Sequence, residues 1–348
     1  MKKYLALFLA FAMIFTIIGC TVDESTPEAA PAATSAAEPA ATPESAPASD
    51  APAAKDDDTL IIGFSQCVMN HPFRIAMVET FKTATAVRPY VIPIVVEGDG
   101  DVQTEITNIE SLIQQGADAI IVSSLAGASI YPAYRLVYEA GIPLIIAASG
   151  NAQPDEDAYN WYQTFVAFDE IEMGMAAADY ADMFLNGEGN IVMIRGVVES
   201  TNSANRYVGW NKQIVNYPGL NVIVEQAANW LRYDAIQVMT NILQANPNID
   251  LVYAENDEMA LGALQAIRDA GREDEIVIIS MDGQQDAVEE ILTGGAFKLT
   301  ITANPDTTTA VDAAVTLARG GTVERRIIVP YEIVTPENAQ EFYDRNFR

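Results

Sequence analysis

From Thr59 onward the chain alternates short, continuous apolar runs with stretches whose apolar residues recur at the helical period, and this restricts it to strands and helices in strict succession. The first run is Leu60-Ile61-Ile62-Gly63-Phe64; Phe73, Ala76, Met77, Thr80, Phe81 and Ala84 then follow at i, i+3, i+4, i+7, i+8 and i+11. A second run, Tyr90 to Val96, carries Pro93, which cannot donate to a ladder and so predicts a sheet-edge strand. This is where the second strand falls in the doubly wound order 2-1-3-4-5. The helical stretch through Val102, Ile106, Ile109 and Ile113 stops at Gly116, Ala119 to Val122 gives a third strand, and another helix stops at Gly141 before a fourth strand, Pro143 to Ile146. Thr164 to Phe168 reads as a fifth.

The rhythm then restarts. A helix is predicted over about 170–185, followed by strands at Ile191 to Ile194, Asn221 to Val224, Asp250 to Ala254, Ile276 to Ser280 and Leu299 to Thr302. Continuous Val and Ile runs belong to parallel strands covered on both faces. The expected fold is therefore α/β, with two doubly wound parallel-sheet lobes. In such sheets ligands lie beyond the carboxyl ends of the strands, and two lobes facing through those ends make a cleft that closes by hinge motion.

The preceding segment has a different character. Lys2 and Lys3 open the chain, an apolar stretch runs from Tyr4 to Ile18, and Gly19-Cys20 follows before any carboxylate, the profile of an export signal over 1–20. The stretch is shorter than the roughly 20 residues a spanning helix needs. Ile17-Ile18-Gly19-Cys20 resembles the lipobox of bacterial lipoproteins, with Ile17 where Leu is usual, and implies lipidation at Cys20; ordinary signal cleavage is the other reading. Residues 21–58 are Ala, Pro, Ser, Thr and Glu with almost no large apolar side chain, the composition of a disordered tether.

A formal net charge of −29 repels nucleic acid, which is excluded as a partner, and leaves the lipid anchor as the only expected membrane attachment. With one histidine, His71, and two cysteines, Cys20 and Cys67, no metal site built from several His or Cys ligands can form, and no intramolecular disulfide remains after lipidation. No cofactor is expected.

Attention falls on the loops that follow the strands. Ser65-Gln66-Cys67-Val68-Met69-Asn70-His71-Pro72-Phe73-Arg74 offers an aromatic ring and a guanidinium at a helix start, which suit the apolar face and hydroxyls of a sugar; Phe73 as core and Arg74 as a solvated side chain is the plainer alternative. Asn205-Arg206-Tyr207-Val208-Gly209-Trp210 follows the sixth strand. Ala254-Glu255-Asn256-Asp257-Glu258-Met259-Ala260-Leu261-Gly262-Ala263 ends a strand and opens a helix, where Asn256 and Asp257 also read as capping residues. Ser280-Met281-Asp282-Gly283 places a carboxylate at another strand end, also a natural turn position. His71 reads as a turn or helix-start residue, Cys67 as a small buried hydrophobe, and Met173 and Met175 as core.

Together these segments, from about Leu60 to Ala318, resemble the ribose-, galactose- and galactofuranose-type periplasmic binding proteins of simple-sugar ABC importers. The Ala-x-Asn-Asp-Glu-Met-Ala-Leu-Gly-Ala stretch is similar to the ribose binders, and Gly63-Phe64-Ser65-Gln66 with Phe73-Arg74 to the galactofuranose binders. The resemblance implies a type 1 periplasmic binding protein with a first lobe over 59–168 plus about 304–328 and a second over 169–303 plus about 329–348. It implies a ligand site from Phe73, Arg74, Arg206, Trp230, Asn256 and Asp282, with Ser65, Gln66, Ser149 and Asn304 as further candidates and no catalytic residue. Two departures stand out: Ala147-Ala148-Ser149-Gly150 occupies the place of an Asp-Arg pair, and Ala303 that of a glutamine. Asn151, Gln153 and Trp161 are the nearest candidates to compensate. The expected function is reversible capture of a sugar by a monomer that hands it to permease and ATPase subunits from an extracytoplasmic, lipid-anchored position. A ligand-binding sensor partner and a binder of a non-sugar polar solute are the alternatives, and a glycosidase using Asp282 and Glu255 is the third class.

Overall fold

The computed structural model describes residues 58–149 and 159–348. The lipobox cysteine, the tether, Asn151 and Gln153 lie outside them. The first lobe is a parallel six-stranded sheet ordered β11-β5-β4-β3-β1-β2, from β1 (Leu60–Gln66), β2 (Val91–Glu97), β3 (Ala119–Ser123), β4 (Leu144–Ala147), β5 (Thr164–Ala167) and β11 (Arg326–Ile328). Pro93 sits in β2, which pairs with β1 only and forms the sheet edge, so its missing N–H interrupts no second ladder. The second lobe repeats the plan in the order β12-β10-β9-β8-β6-β7: β6 (Gly189–Arg195), β7 (Leu220–Ala227), β8 (Leu251–Ala254), β9 (Val277–Asp282), β10 (Phe297–Thr302) and β12 (Ile333–Val334).

The short strands β11 and β12 have no signature in the apolar runs. β11 extends the first sheet in parallel, whereas β12 joins β10 antiparallel, so the second sheet is not wholly parallel as the Val and Ile runs predict. An edge strand of two residues is partly buried and needs no continuous apolar run to hold it.

Consecutive residues of the central strands feed opposite layers. Ile120 and Ile146 pack with Ile109, Leu112 and Val137, while Ile121 and Ile145 pack with Phe64, Met77, Phe81 and Val311. Each side chain of this size, removed from water, contributes roughly 1.5–3 kcal/mol. The second sheet is sandwiched likewise, with Val192, Val252 and Ile278 in one layer and Ile191, Leu251 and Ile279 in the other. The chain passes between lobes after β5, after β10, where helix Thr308–Ala318 returns to the first sheet, and between β11 and β12. Three short passes leave the lobes free to hinge as bodies.

Candidate functional site

The carboxyl ends of both sheets face a cavity of about 540 Å³. Phe73, Arg74, Ser149, Arg206, Trp230, Asn256 and Asp282 all line it, although they come from six separate segments of the chain.

The first lobe positions its groups through helix α1 (Pro72–Ala86). His71 is the N-cap, with Nδ1 accepting from the Phe73 N–H at 3.2 Å, and Pro72 occupies the first helical position, where an absent N–H costs nothing. This start turns Phe73 toward the junction, where it packs against hydrophobic clusters of both lobes. Arg74, one residue on, is buried and not solvated. Its Nη1 donates to Ser123 Oγ and its Nη2 to Ser149 Oγ, each at 2.7 Å, so one guanidinium spans the ends of β3 and β4. The Ala-Ala-Ser sequence that lacks the expected Asp-Arg pair thus supplies a hydroxyl that holds this arginine.

In the second lobe Arg206 is the centre of a fixed network. Its Nε donates to Glu170 Oε2 at 2.6 Å, Nη1 to the Glu255 carbonyl, and Nη2 lies 3.8 Å from Asp282 Oδ1. Burial opposes the charge on Arg206, but the carboxylates of Glu170 and Asp282 outweigh it and raise its pKa. Asp282 has φ +125°, a backbone setting that side chains rarely adopt. Burial raises its carboxyl well above the usual range; Arg206 pulls the other way, while Asp257 and Glu170 add to the rise. Asp257 itself faces inward, accepting from Ser280, from Thr300 Oγ1 at 2.8 Å and from Gln284 N at 2.7 Å, which pins the loop carrying Asp282.

Trp230, with φ +69°, lies flat over Gly196: a Cβ there would stand 2.1 Å from the indole. The Arg206 guanidinium sits 5.5 Å from the indole ring. Asn256 serves both readings of its position. Its Oδ1 caps the helix by accepting from Met259 N at 2.9 Å, while Nδ2 lies 3.3 Å from the Trp230 carbonyl and 3.0 Å from His71 Nε2 of the other lobe.

Several expectations are corrected. Ser65 and Gln66 are fully buried in β1 and are not among the lining residues; Gln66 turns its Oε1 back to Cys67 N at 3.1 Å. Asn304 borders a separate small hollow, whereas Ala303 lines the main cavity. Trp161 packs edge-on to Tyr131, with ring centroids 6.3 Å apart, away from the cleft. Glu255, which would pair with Asp282 in a glycosidase, is buried behind the cavity wall, where its Oε2 accepts from Gly196 N at 2.8 Å and Oε1 lies 3.5 Å from Arg195 Nε. Burial lifts its pKa to about 7 against the pull of Ser203, Gly196 and Arg195.

His71 and Cys67, which the sequence places in the first cleft loop and which read there as a helix start and a buried hydrophobe in preference to ligand contacts, also border the cavity. Glu170 and Asn202 begin helices, where polar residues are ordinary, and no local signal marks them as cleft residues. Asn202 Nδ2 donates to Glu170 Oε1 at 2.7 Å and, across the lobes, to the Ala148 carbonyl at 3.0 Å. Glu105, in the first turn of α2 (Val102–Gln114), was hidden in the same way. Among the described residues no cluster of metal-ligating side chains occurs and no helix is long and apolar enough to cross a membrane.

Comparison with known proteins agrees with this architecture. The model of the periplasmic binding protein domain matches residues 62–322. A putative rhizopine-binding protein of Rhizobium meliloti is 34% identical over 254 residues, covering 71% of this chain and 80% of that one. The ribose import binding protein of Bacillus subtilis (strain 168) is 30% identical, covering 79% and 87%. Among solved structures, an ABC transporter solute binding protein from Bacillus halodurans C-125 with bound myo-inositol is 30% identical with a TM-score of 0.78, covering 83% and 99%. The arabinose ABC transporter binding protein from Shewanella sp. ANA-3, bound to L-arabinofuranose, is 27% identical with a TM-score of 0.77, covering 82% and 95%. With its two facing lobes and a family match across most of its length, this chain belongs to the periplasmic binding protein family.

Proposed function

We propose that this protein is the extracytoplasmic solute-binding component of an ABC importer, tethered through lipidated Cys20, and that it reversibly captures a simple sugar or polyol between its lobes. The observation that carries this reading is the convergence of Arg74, Arg206, Asn256 and Asp282 with the rings of Phe73 and Trp230 on one cavity. Carboxylate and carbonyl oxygens accept from hydroxyls, guanidinium and amide groups donate to them, and flat rings cover the C–H faces of a polyol. Relatives named for ribose, galactofuranose and xylitol, and solved neighbours holding myo-inositol and arabinofuranose, support the same ligand chemistry. Its partners on this reading are permease and ATPase subunits, with the protein itself a monomer.

Titration calorimetry of the soluble domain against pentoses, hexoses and cyclic polyols tests the proposal. Saturable heat with at least one, recovered unchanged afterwards, is expected; heat with none overturns it. For the anchor, Cys20→Ser releases the protein from the membrane fraction if lipidation holds it there.

A further inference from the structure

The cavity lining carries four carboxylates, Asp101, Glu105, Glu170 and Asp282, against the two guanidiniums of Arg74 and Arg206. Three of these acids have work within the protein. Glu170 and Asp282 flank Arg206, and Asp101 caps helix α2 by accepting from Thr104 N and Oγ1, each at 2.8 Å. Arg74 is held by two serine hydroxyls and makes no ion pair among the described residues.

Glu105 is bonded by the Ser124 hydroxyl but keeps one oxygen left over. It is 2% exposed, its Oε2 has no hydrogen-bond partner among the described residues, and no cation stands within ion-pair distance. The chain makes room for it: a Cβ on Gly98 would stand 2.3 Å from the Glu105 Cγ, so the loop before α2 accepts this side chain only as glycine. A carboxylate in the first helical turn favours the helix dipole, but that benefit is available at an exposed position and does not require burial in a cavity wall. Burial raises the Glu105 pKa, opposed by the Ser124 hydroxyl and the Arg74 charge. A buried acceptor without a donor costs free energy unless a ligand provides one.

We propose that the ligand is a polyhydroxylated ring bearing an ammonium group, and that Glu105 in the wall of the first lobe is the residue that receives it. This rests on the polyol reading above and narrows it to amino polyols. An ammonium supplies the charge-assisted donor that Oε2 lacks, and does so more strongly than a hydroxyl of a neutral sugar.

Matched pairs test it: D-glucose with D-glucosamine, D-galactose with D-galactosamine, and myo-inositol with its monoamino analogue, titrated calorimetrically at neutral pH into the protein and into Glu105→Gln. In at least one pair the amino member binds the unsubstituted protein about tenfold or more tightly than its hydroxyl partner. In Glu105→Gln that ratio falls to within about threefold. Hydroxyl members that bind as well as or better than amino members in every pair overturn the inference while leaving the polyol reading intact, and so does a preference that survives in Glu105→Gln. Binding by no member of any pair overturns this inference, while the polyol reading falls only if the pentose, hexose and polyol panel is silent as well. The wild-type ratio stands whether or not the variant folds.

Discussion

Lowering the pH toward 5 will open the cleft through His71. The imidazole is clasped between the lobes, with Nδ1 against the Phe73 N–H and Nε2 against Asn256 Nδ2, both donors. A neutral ring can accept at one nitrogen; an imidazolium can accept at neither. Burial and then the charge of Arg74 lower its pKa from 6.5 to about 4; the Trp230 carbonyl pulls upward, and Arg206 adds to the lowering. When the lobes separate the ring meets water and leaves Arg206, so its pKa rises toward 6.5, with Arg74 of the same lobe still holding it below that value. The closed form therefore binds fewer protons than the open one: above 6.5 there is no penalty, the penalty grows as pH falls toward 4, and it saturates below that. At pH 5 those two values make closure at most about 30-fold less favourable, or roughly 2 kcal/mol.

The assay is ligand affinity from about pH 7.5 down to about pH 5, compared with His71→Asn, which keeps a capping oxygen for α1 without a titrating ring. Asp282 and Glu105 also have raised pKa values and face the same cavity, so the readout is the difference between the two proteins, which cancels their common contribution. Wild type is expected to lose up to about 30-fold more affinity than the variant over this range. Parallel pH profiles would refute the argument.

Arg206→Ala and Asp282→Ala should each weaken binding by about 2 kcal/mol or more, because each leaves buried partners unpaired; unchanged calorimetric affinity in both would place the ligand elsewhere. Ser149→Ala strands Arg74 Nη2 and should weaken binding by about 1–2 kcal/mol. Gly196→Val drives a side chain into the indole of Trp230 and should reduce affinity more than tenfold, with Trp fluorescence reporting the displaced ring. An unaltered emission spectrum would count against the packing described for this loop.

The two lobes were legible because sheet strands buried on both faces must be continuous apolar runs, and Leu60–Gln66, Ala119–Ser123, Leu144–Ala147 and Leu251–Ala254 are almost nothing else. β11 and β12 escaped because a strand of two or three residues at an edge is specified by pairing, not by its own pattern. Six cleft residues were readable from family-like loops, whereas Glu105, Glu170 and Asn202 were not. Each sits in a first helical turn, where the helix alone justifies a polar side chain. Ser65 and Gln66 misled in the opposite sense. They lie within β1, and side chains of a central strand point into the helical layers, not off its end.

The polar groups of the cavity divide by what must move to form them. Arg206 is oriented by Glu170 and the Glu255 carbonyl, all within the second lobe, and Arg74 by Ser123 and Ser149 within the first. These groups persist when the cleft opens, so a ligand meets donors already aimed and loses little side-chain entropy in binding them. Polar contacts described at the cavity that join the lobes are Asn202 to the Ala148 carbonyl and His71 with Asn256 and the Trp230 carbonyl. A ligand shifts the hinge only by the difference in its affinity for the two states, and these bridges set the starting point from which that difference works. Strengthening them raises affinity by populating the closed form and slows release; weakening them does the reverse. Asn202→Ala, which removes a bridge while leaving the hydrogen bond of Arg206 Nε to Glu170 Oε2 in place, should accordingly raise the dissociation rate more than it lowers the association rate.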